Sequence, residues 1–166
     1  MITSAGMRPS SDPRLRAATA DDLDEILALI RELAEYERLP DEAVATRDDL
    51  ATWIFGGEAF VKVTIAEGNE GEIAGMALWF PTFSTWLGRP GIWLEDLFVR
   101  QQHRGIGLGR ALLTDLFARA QAQGGRVEWA VLDWNQPSID FYRGLGATEV
   151  DGWLRYRWTA DPINPA

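Results

Sequence analysis

The stretch from residue 92 to residue 122 constrains the fold more than any other part of the sequence. It begins with residues 92–99, which are apolar on both faces except at Glu95 and Asp96, as expected of a central strand that is covered on both sides. A loop with three alternating glycines follows, and a long amphipathic helix begins near Gly107. Residues 124–125, both glycine, end that helix. A strand, a glycine loop and a helix in direct succession predict an α/β (α+β) protein.

Apolar periodicity and capping residues predict the remaining elements. Before the central strand we expect a strand at 14–17, a helix at 19–36 capped by Thr19, a shorter helix between Thr46 and residues 56–57, and a hairpin of strands 60–67 and 72–80 ended by Pro81. After the long helix we expect a strand at 127–132, a helix from Pro137 to about Leu145, and one or more strands between residues 148 and 159. This order predicts a single mixed sheet with helices on both faces.

The domain organisation follows from the two ends of the sequence. Residues 1–13 and 161–166 are rich in small residues and proline without periodicity, which predicts two flexible tails. Residues 14–160 contain no internal repeat or linker and are expected to form one domain.

Charge and cysteine content exclude several classes of function. The 25 acidic against 16 basic residues give a net charge of −9, which disfavours nucleic acid and anionic membranes as partners. No segment approaches the ~18 apolar residues of a membrane span, and the first twenty residues lack the apolar block of a secretory signal, so we expect a cytoplasmic protein. The absence of cysteine excludes a disulfide, a thiolate zinc site and a cysteine nucleophile, and we expect no metal.

The glycine loop, residues 104–110, is a candidate anion site. Its glycines let the backbone approach a ligand closely, and the free N–H groups of the first helical turn point toward it. Arg104 and Arg110 add charged donors. A Rossmann site would need this loop in the first βα unit, and a P-loop would need Gly-Lys-Ser or Gly-Lys-Thr, so neither nucleotide site fits the sequence.

These residues resemble the pyrophosphate motif of the GNAT acetyltransferase superfamily, which has Arg or Gln, two residues, Gly, one residue, then Gly or Ala. The resemblance covers about residues 15–158. Four blocks, at residues 29–37, 86–88, 94–99 and 134–142, narrow it to the spermidine/spermine (diamine) and thialysine acetyltransferases. It implies a mostly antiparallel sheet, acetyl-CoA as the acyl donor, a homodimer, and acetyl transfer to a primary amine of a small cationic substrate in a ternary complex.

The resemblance also implies residue roles. Tyr142 would be the acid that protonates the leaving thiolate, and Glu95 the base acting through water. The substrate-binding residues would be Tyr36, Glu37, Trp86 and Asp96. The cofactor-binding residues would be Leu97, Phe98, Val99, Arg104, Gly105, Ile106, Gly107, Leu108, Gly109, Arg110, Asn135 and Arg143.

Several alternatives stay open from the residues alone. Tyr142 is otherwise a core aromatic, and Asn135 a cap of the helix that Pro137 begins. Glu95 and Asp96 are otherwise carboxylates satisfied by backbone N–H groups or arginines, and strict alternation would place them on opposite faces unless the strand carries a bulge.

The acceptor is also open. Asp133 and residues 39–59 depart from the polyamine enzymes, so a protein or peptide amine, an amino sugar, or a noncatalytic acyl-CoA-binding role remains an alternative.

Overall fold

The computed structural model describes residues 11–159, so residues 1–10 and 161–166 of the predicted tails lie outside it. Five strands of the described residues form one sheet in the order β1-β2-β3-β4-β5. Neighbouring strands are antiparallel except β4 and β5, which are parallel. The strands are β1 Leu15–Ala17, β2 Lys62–Glu67, β3 Ile73–Ser84, β4 Arg89–Val99 and β5 Val127–Glu128.

The helices begin and end near the predicted capping residues. They are α1 Leu23–Tyr36 after a 3-10 turn at Ala20–Asp22, α2 Arg47–Leu50 continued by a π-helical turn at Ala51–Phe55, α3 Leu108–Ala122, and α4 Gln136–Arg143. The side chain of Thr46 accepts a hydrogen bond from the Asp49 N–H, and Gly107 is the N-cap of α3. The chain divides into two compact units, Met1–Leu132 and Asp133–Ala166, with the sheet and α1–α3 in the first and α4 in the second.

Helices cover both faces of the sheet in the first unit. On one face, Ile26 and Leu29 of α1 pack in a buried cluster with Val63, Ile65 and Met76. On the other face, Arg119 of α3 lies 5.6 Å from the centre of the Trp79 ring. Leu112, Leu113 and Leu116 of α3 are fully buried. Successive side chains of β2 and β3 point to opposite faces of the sheet, and a helix covers each face. The predicted mixed, mostly antiparallel sheet with helices on both faces is confirmed.

Several predictions for the strands are wrong. β2 begins at Lys62 instead of residue 60, and β4 begins at Arg89 instead of residue 92. β3 continues through Pro81 to Ser84, because its pairing with β2 stops at Trp79 and proline is tolerated on a strand edge. The strand predicted at 127–132 is limited to Val127–Glu128. Within the described residues, the segment 148–159 contains no strand. Alternating apolar residues favour an extended segment there, but they do not provide the neighbouring strand that a ladder requires.

The register of β3 and β4 shifts at the two carboxylates of the central strand. Leu78 pairs with Asp96 and Trp79 pairs with Leu94, so Glu95 is an extra residue without a partner in β3. This irregularity is the bulge that the sequence would need to bring neighbouring carboxylates to one site.

Candidate active site

The glycine loop has the backbone geometry that glycine favours. Gly105 and Gly107 have φ of 81° and 87°, in the left-handed region that side chains disfavour. Leu108 is buried against the protein, whereas Gly105, Ile106 and Gly107 are exposed. In the described residues, the N–H groups of these three exposed residues donate no backbone hydrogen bond. The loop therefore presents N–H donors at the positive end of the α3 dipole, which is an arrangement that binds anions.

The two arginines of the loop have different surroundings. Nε of Arg104 donates to the Val99 carbonyl oxygen at 2.8 Å, and its guanidinium lies 5.2 Å from the centre of the Tyr36 ring and 5.7 Å from that of Phe98. Arg110 is exposed, and its side chain forms no hydrogen bond or ion pair within residues 11–159. Arg104 therefore joins the loop to the end of α1, and Arg110 retains its donors for a ligand.

The outer edge of β4 is open beside this loop. β5 pairs with β4 only at Ile92 and Trp93, so no described strand pairs with Leu97, Phe98 or Val99 on the side away from β3, although the Val99 carbonyl accepts from Arg104. Open backbone groups at a sheet edge pair readily with an extended, amide-containing ligand. The predicted pairing of residues 97–99 with the peptide-like arm of CoA is compatible with this edge.

An acidic group faces the same end of α1. Asp96 pairs across from Leu78, whose side chain belongs to the buried cluster under α1, and this places Asp96 on the α1 face of the sheet. Burial, together with the negative charges of Glu95 and Glu37, raises the pKa of Asp96 to about 6. Burial also raises the pKa of Glu37. Carboxylates with raised pKa values are partly desolvated and poorly compensated, which favours binding of a cation.

Glu95 differs from Asp96 in exposure and contacts. Its side chain is exposed, and Nε1 of Trp93 donates to its Oε2 at 2.6 Å. An exposed carboxylate that is held by a single donor keeps acceptor capacity for water. Its position fits the predicted water-mediated base.

Trp86 lies in the turn between β3 and β4 and is 86% exposed. Indole rings at such tips provide apolar faces that bind alkyl chains and cations. Its predicted part in substrate binding stays a prediction.

The remaining predicted residues lie in the second unit. Asn135 is buried, and its side chain accepts a hydrogen bond from the Ser138 N–H at 3.4 Å, so it is the N-cap of α4. Tyr142 is half-buried near the end of α4, with its ring 5.5 Å from that of Phe141. Arg143 is exposed and pairs with Glu149. Their predicted roles stay predictions.

Two arginines with long-range contacts, one beside β4 and one beside β1, were not found from the sequence. Arg100 follows β4, and its side chain pairs with Glu32 of α1 at 2.7 Å and donates to the Ile73 carbonyl oxygen at 2.9 Å. Arg14 precedes β1 and donates to the Ile106 carbonyl oxygen. Neither contact has a local sequence signal, because each joins segments that are distant along the chain.

Comparison with known proteins adds to this geometry. Residues 23–147 match the model of the acetyltransferase (GNAT) family. The chain is 37% identical over 160 residues to thialysine N-epsilon-acetyltransferase of Bos taurus, an alignment that covers 90% of this chain and 94% of that protein. It is 30% identical to L-ornithine N5-acetyltransferase NATA1 of Arabidopsis thaliana, covering 90% of this chain and 86% of that protein.

Solved structures with the same fold include an acetyltransferase of Trypanosoma brucei. The TM-score is 0.67 at 26% identity, and the match covers 87% of this chain and 98% of the other. An integron cassette protein of V. cholerae has a TM-score of 0.73 at 24% identity, covering 90% of this chain and 94% of the other. The second likeness concerns the fold alone.

Proposed function

Because the chain belongs to the acetyltransferase (GNAT) family, we propose that it transfers the acetyl group of acetyl-CoA to a primary amine of a small cationic substrate. The family and the enzyme class predicted from the sequence, an N-acetyltransferase, are confirmed by these matches. One observation carries the proposal: β4 carries the acidic bulge and leads through Gln101–His103 into the glycine loop. One strand thus connects a region suited to an amine with a region suited to a pyrophosphate.

The donor side of the proposal rests on the glycine loop. Unpaired N–H groups at the start of α3, together with Arg110, fit the two negative charges of the CoA pyrophosphate. Acetyl-CoA, when bound there, supplies the acetyl thioester. The protein supplies donors that hold the pyrophosphate and, along residues 97–99, an open strand edge for the extended arm.

The acceptor side rests on the carboxylates. Asp96 and Glu37 are partly desolvated negative charges, and the Tyr36 ring lies at the same end of α1 as Glu37. The electrostatic attraction between an ammonium group and these carboxylates is stronger there than in water, because the local dielectric is lower. Two of the relatives are named for thialysine and ornithine, amino acids with a terminal amine, and this supports an amino acid or polyamine with a similar amine as the acceptor.

The chemistry requires protons to leave the amine and a proton to reach the leaving thiolate. An alkylamine has a pKa near 10 and is mostly protonated at pH 7, so a proton must leave through water to Glu95 before attack. The amine nitrogen then bonds to the thioester carbonyl carbon, the carbon–sulfur bond breaks, and the thiolate takes a proton. The acylated nitrogen releases its second proton, which returns through water to the group that protonated the thiolate. Tyr142 is proposed as the donor of that proton, because a phenol of ordinary pKa near 10 is protonated at neutral pH. The match of residues 134–142 to the polyamine subgroup supports this role.

We also propose that the enzyme acts as a homodimer in the cytoplasm. Trp153, Trp158 and Tyr156 are each more than 70% exposed, and such apolar surface suits an interface. The absence of cysteine is typical of a protein that does not need disulfides. Within residues 11–159, no helix has the length and apolar character to cross a membrane.

A panel of acceptors tests the function directly. Acetyl-CoA consumption is measured with thialysine, ornithine, lysine, diamines, polyamines, amino sugars and short peptides at matched concentrations. We expect turnover with free amino acids or polyamines that carry a terminal alkylamine. A preference for peptides or amino sugars would contradict the proposed acceptor, and tight CoA binding without any turnover would favour a noncatalytic protein.

Tyr142→Phe tests the acid. The substitution removes only a hydroxyl, and we expect kcat to fall about 100-fold because general acid catalysis contributes that order. The Kd for CoA should stay within twofold of wild type. Thermal unfolding of the variant at the wild-type temperature is the control for an intact fold. Full activity of Tyr142→Phe on the preferred acceptor would rule out the role.

A further inference from the structure

Arg14 joins the first strand of the sheet to the middle of the glycine loop. Its Nη1 donates to the Ile106 carbonyl oxygen at 2.8 Å, although the two residues are 92 positions apart. Its Nη2 also lies 4.0 Å from the position that a Cβ atom would take on Gly107. The guanidinium therefore lies against the turn that precedes α3.

Asp12 holds Arg14 in this orientation. Its Oδ1 accepts from Nε of Arg14 at 3.0 Å, and its Oδ2 accepts from Nη2 at 2.8 Å. The Arg14 backbone N–H also donates to Oδ1 of Asp12, at 3.0 Å. A two-pronged pair of this kind fixes the plane of a guanidinium and compensates its charge. Arg14 is thus better placed to orient the loop than to attract an anion through net charge.

The contact with Ile106 determines where the next N–H points. The described chain has no cis peptide, so the Ile106–Gly107 peptide is trans and its N–H points away from its C=O. Because Arg14 holds that carbonyl on the β1 side, the Gly107 N–H is directed to the opposite side. This hydrogen bond from Arg14 is made at Ile106, between Gly105 and Gly107, which both have positive φ and where the backbone would otherwise have the most conformational freedom.

We propose that Arg14 is a positioning residue of the donor site, which keeps the glycine loop in its anion-binding conformation before CoA arrives. The inference rests on the proposed function, in which this loop binds the CoA pyrophosphate. A loop that is already ordered loses less entropy on binding, so its ligand binds more tightly without any additional contact. Arg14 therefore acts on the affinity for CoA and acetyl-CoA and leaves the chemical step unchanged.

Arg14→Ala is the first test. We expect the Kd of CoA, measured by calorimetry, and the KM of acetyl-CoA to rise about tenfold, the order of effect of one charge-assisted hydrogen bond. We expect kcat to stay within twofold. Arg47→Ala is the matched control. It removes the same charge from a half-exposed arginine that also pairs with an aspartate, Asp24. Equal Kd values for the two variants, or a fall in kcat at unchanged KM, would overturn the proposal.

Asp12→Asn separates orientation from charge. If Arg14 acts by orientation, loss of the two-pronged pair weakens CoA binding about threefold, a fraction of the effect of one such hydrogen bond. If Arg14 acts by charge, removal of the neighbouring carboxylate strengthens binding, and this result would overturn the proposal. Asp24→Asn makes the same change in net charge at the control pair.

Two further outcomes are distinguishable. Failure of the wild-type protein to bind CoA would refute the proposed function together with this inference. Tight wild-type binding that neither Arg14→Ala nor Asp12→Asn weakens relative to its control would refute the inference alone. Should Arg14→Ala not fold, as judged by its thermal unfolding, Asp12→Asn and its control still decide between orientation and charge.

Discussion

Two buried or half-buried aspartates of the first unit have opposite electrostatic surroundings. Asp22, just before α1, accepts two hydrogen bonds from the guanidinium of Arg16, at 2.7 and 2.9 Å, and a third from the Thr19 N–H at 2.7 Å. Arg16, in turn, also pairs with Glu67. The hydrogen bonds from Arg16 lower the pKa of Asp22 to about 2. This carboxylate is fully compensated.

Asp96 has neighbours of the opposite sign. Burial and the negative charges of Glu95 and Glu37 together raise its pKa to about 6. The charged form of Asp22 therefore stabilises the folded state, whereas the charged form of Asp96 destabilises it. Asp22 uses its charge within the protein, whereas Asp96 has charge available for a cation from outside, as expected of a group at a functional site.

Asp96→Asn should have the largest effect on activity. The change removes a charge and little volume, and we expect kcat/KM for the amine to fall about 100-fold, since a desolvated ion pair with the substrate ammonium would be lost. Asp22→Asn, assayed under conditions where it is fully folded, should keep activity within a few fold. Steady-state kinetics on the preferred acceptor measures both, and equal losses in the two variants would break the comparison.

Asp22→Asn should have the largest effect on stability. The pKa of Asp22 lies below its ordinary value of 3.8, so its charged form stabilises the folded state above pH 4 and this contribution is lost as the pH falls toward 2. We expect a loss of about 2 kcal/mol in the free energy of unfolding at pH 7. Urea denaturation measures this free energy, and Asp24→Asn, at an exposed aspartate, is the control. A loss that persists unchanged at pH 2.5 would exclude the charge as its cause.

Asp96→Asn should have a smaller and opposite effect on stability. The pKa of Asp96 is raised above 3.8, so the folded state of the wild type is stabilised at low pH and loses this advantage as the pH rises from about 4 through about 6. Asparagine resembles the protonated acid at every pH. We therefore expect the variant to be about 1–2 kcal/mol more stable than wild type at pH 7.5 and equally stable at pH 3.5, after allowance for solvent screening. Urea unfolding at the two pH values checks this, and a variant that is less stable at pH 7.5 would contradict it.

The sequence predicted the elements whose residues carry a local periodic pattern. Helical spacing in α1 and α3, the cap at Thr46 and the apolar strand before the glycine loop were all sufficient to place those elements near their observed bounds. Pro81 misled the prediction because its effect depends on whether a neighbouring strand needs its N–H, and β2 ends its pairing before that point. Residues 148–159 misled it because alternation specifies faces and no partner.

For the candidate site, too, the sequence predicted the features that are local along the chain and left the long-range contacts open. Residue types alone placed the anion donors at residues 104–110 and marked Glu95 and Asp96 as exceptions in an apolar strand. They left open whether these carboxylates share a face, whether an arginine compensates them, and what holds the loop. The register shift at Glu95 gives the bulge that a shared face requires, and the acidic neighbours of Asp96 and the contact between Arg14 and Ile106 answer the other two questions.

The sequence by itself therefore determined the order of elements as far as α4, the glycine loop and the chemistry of the side chains, since each of these depends on residues that are close along the chain. Only the tertiary structure decided which charges are compensated. Arg16 meets Glu67 from 51 positions away, and Arg14 meets Ile106 from 92, while Asp96 meets other carboxylates instead of an arginine. Charge compensation depends on distances of a few ångströms in space, and long-range folding sets those distances.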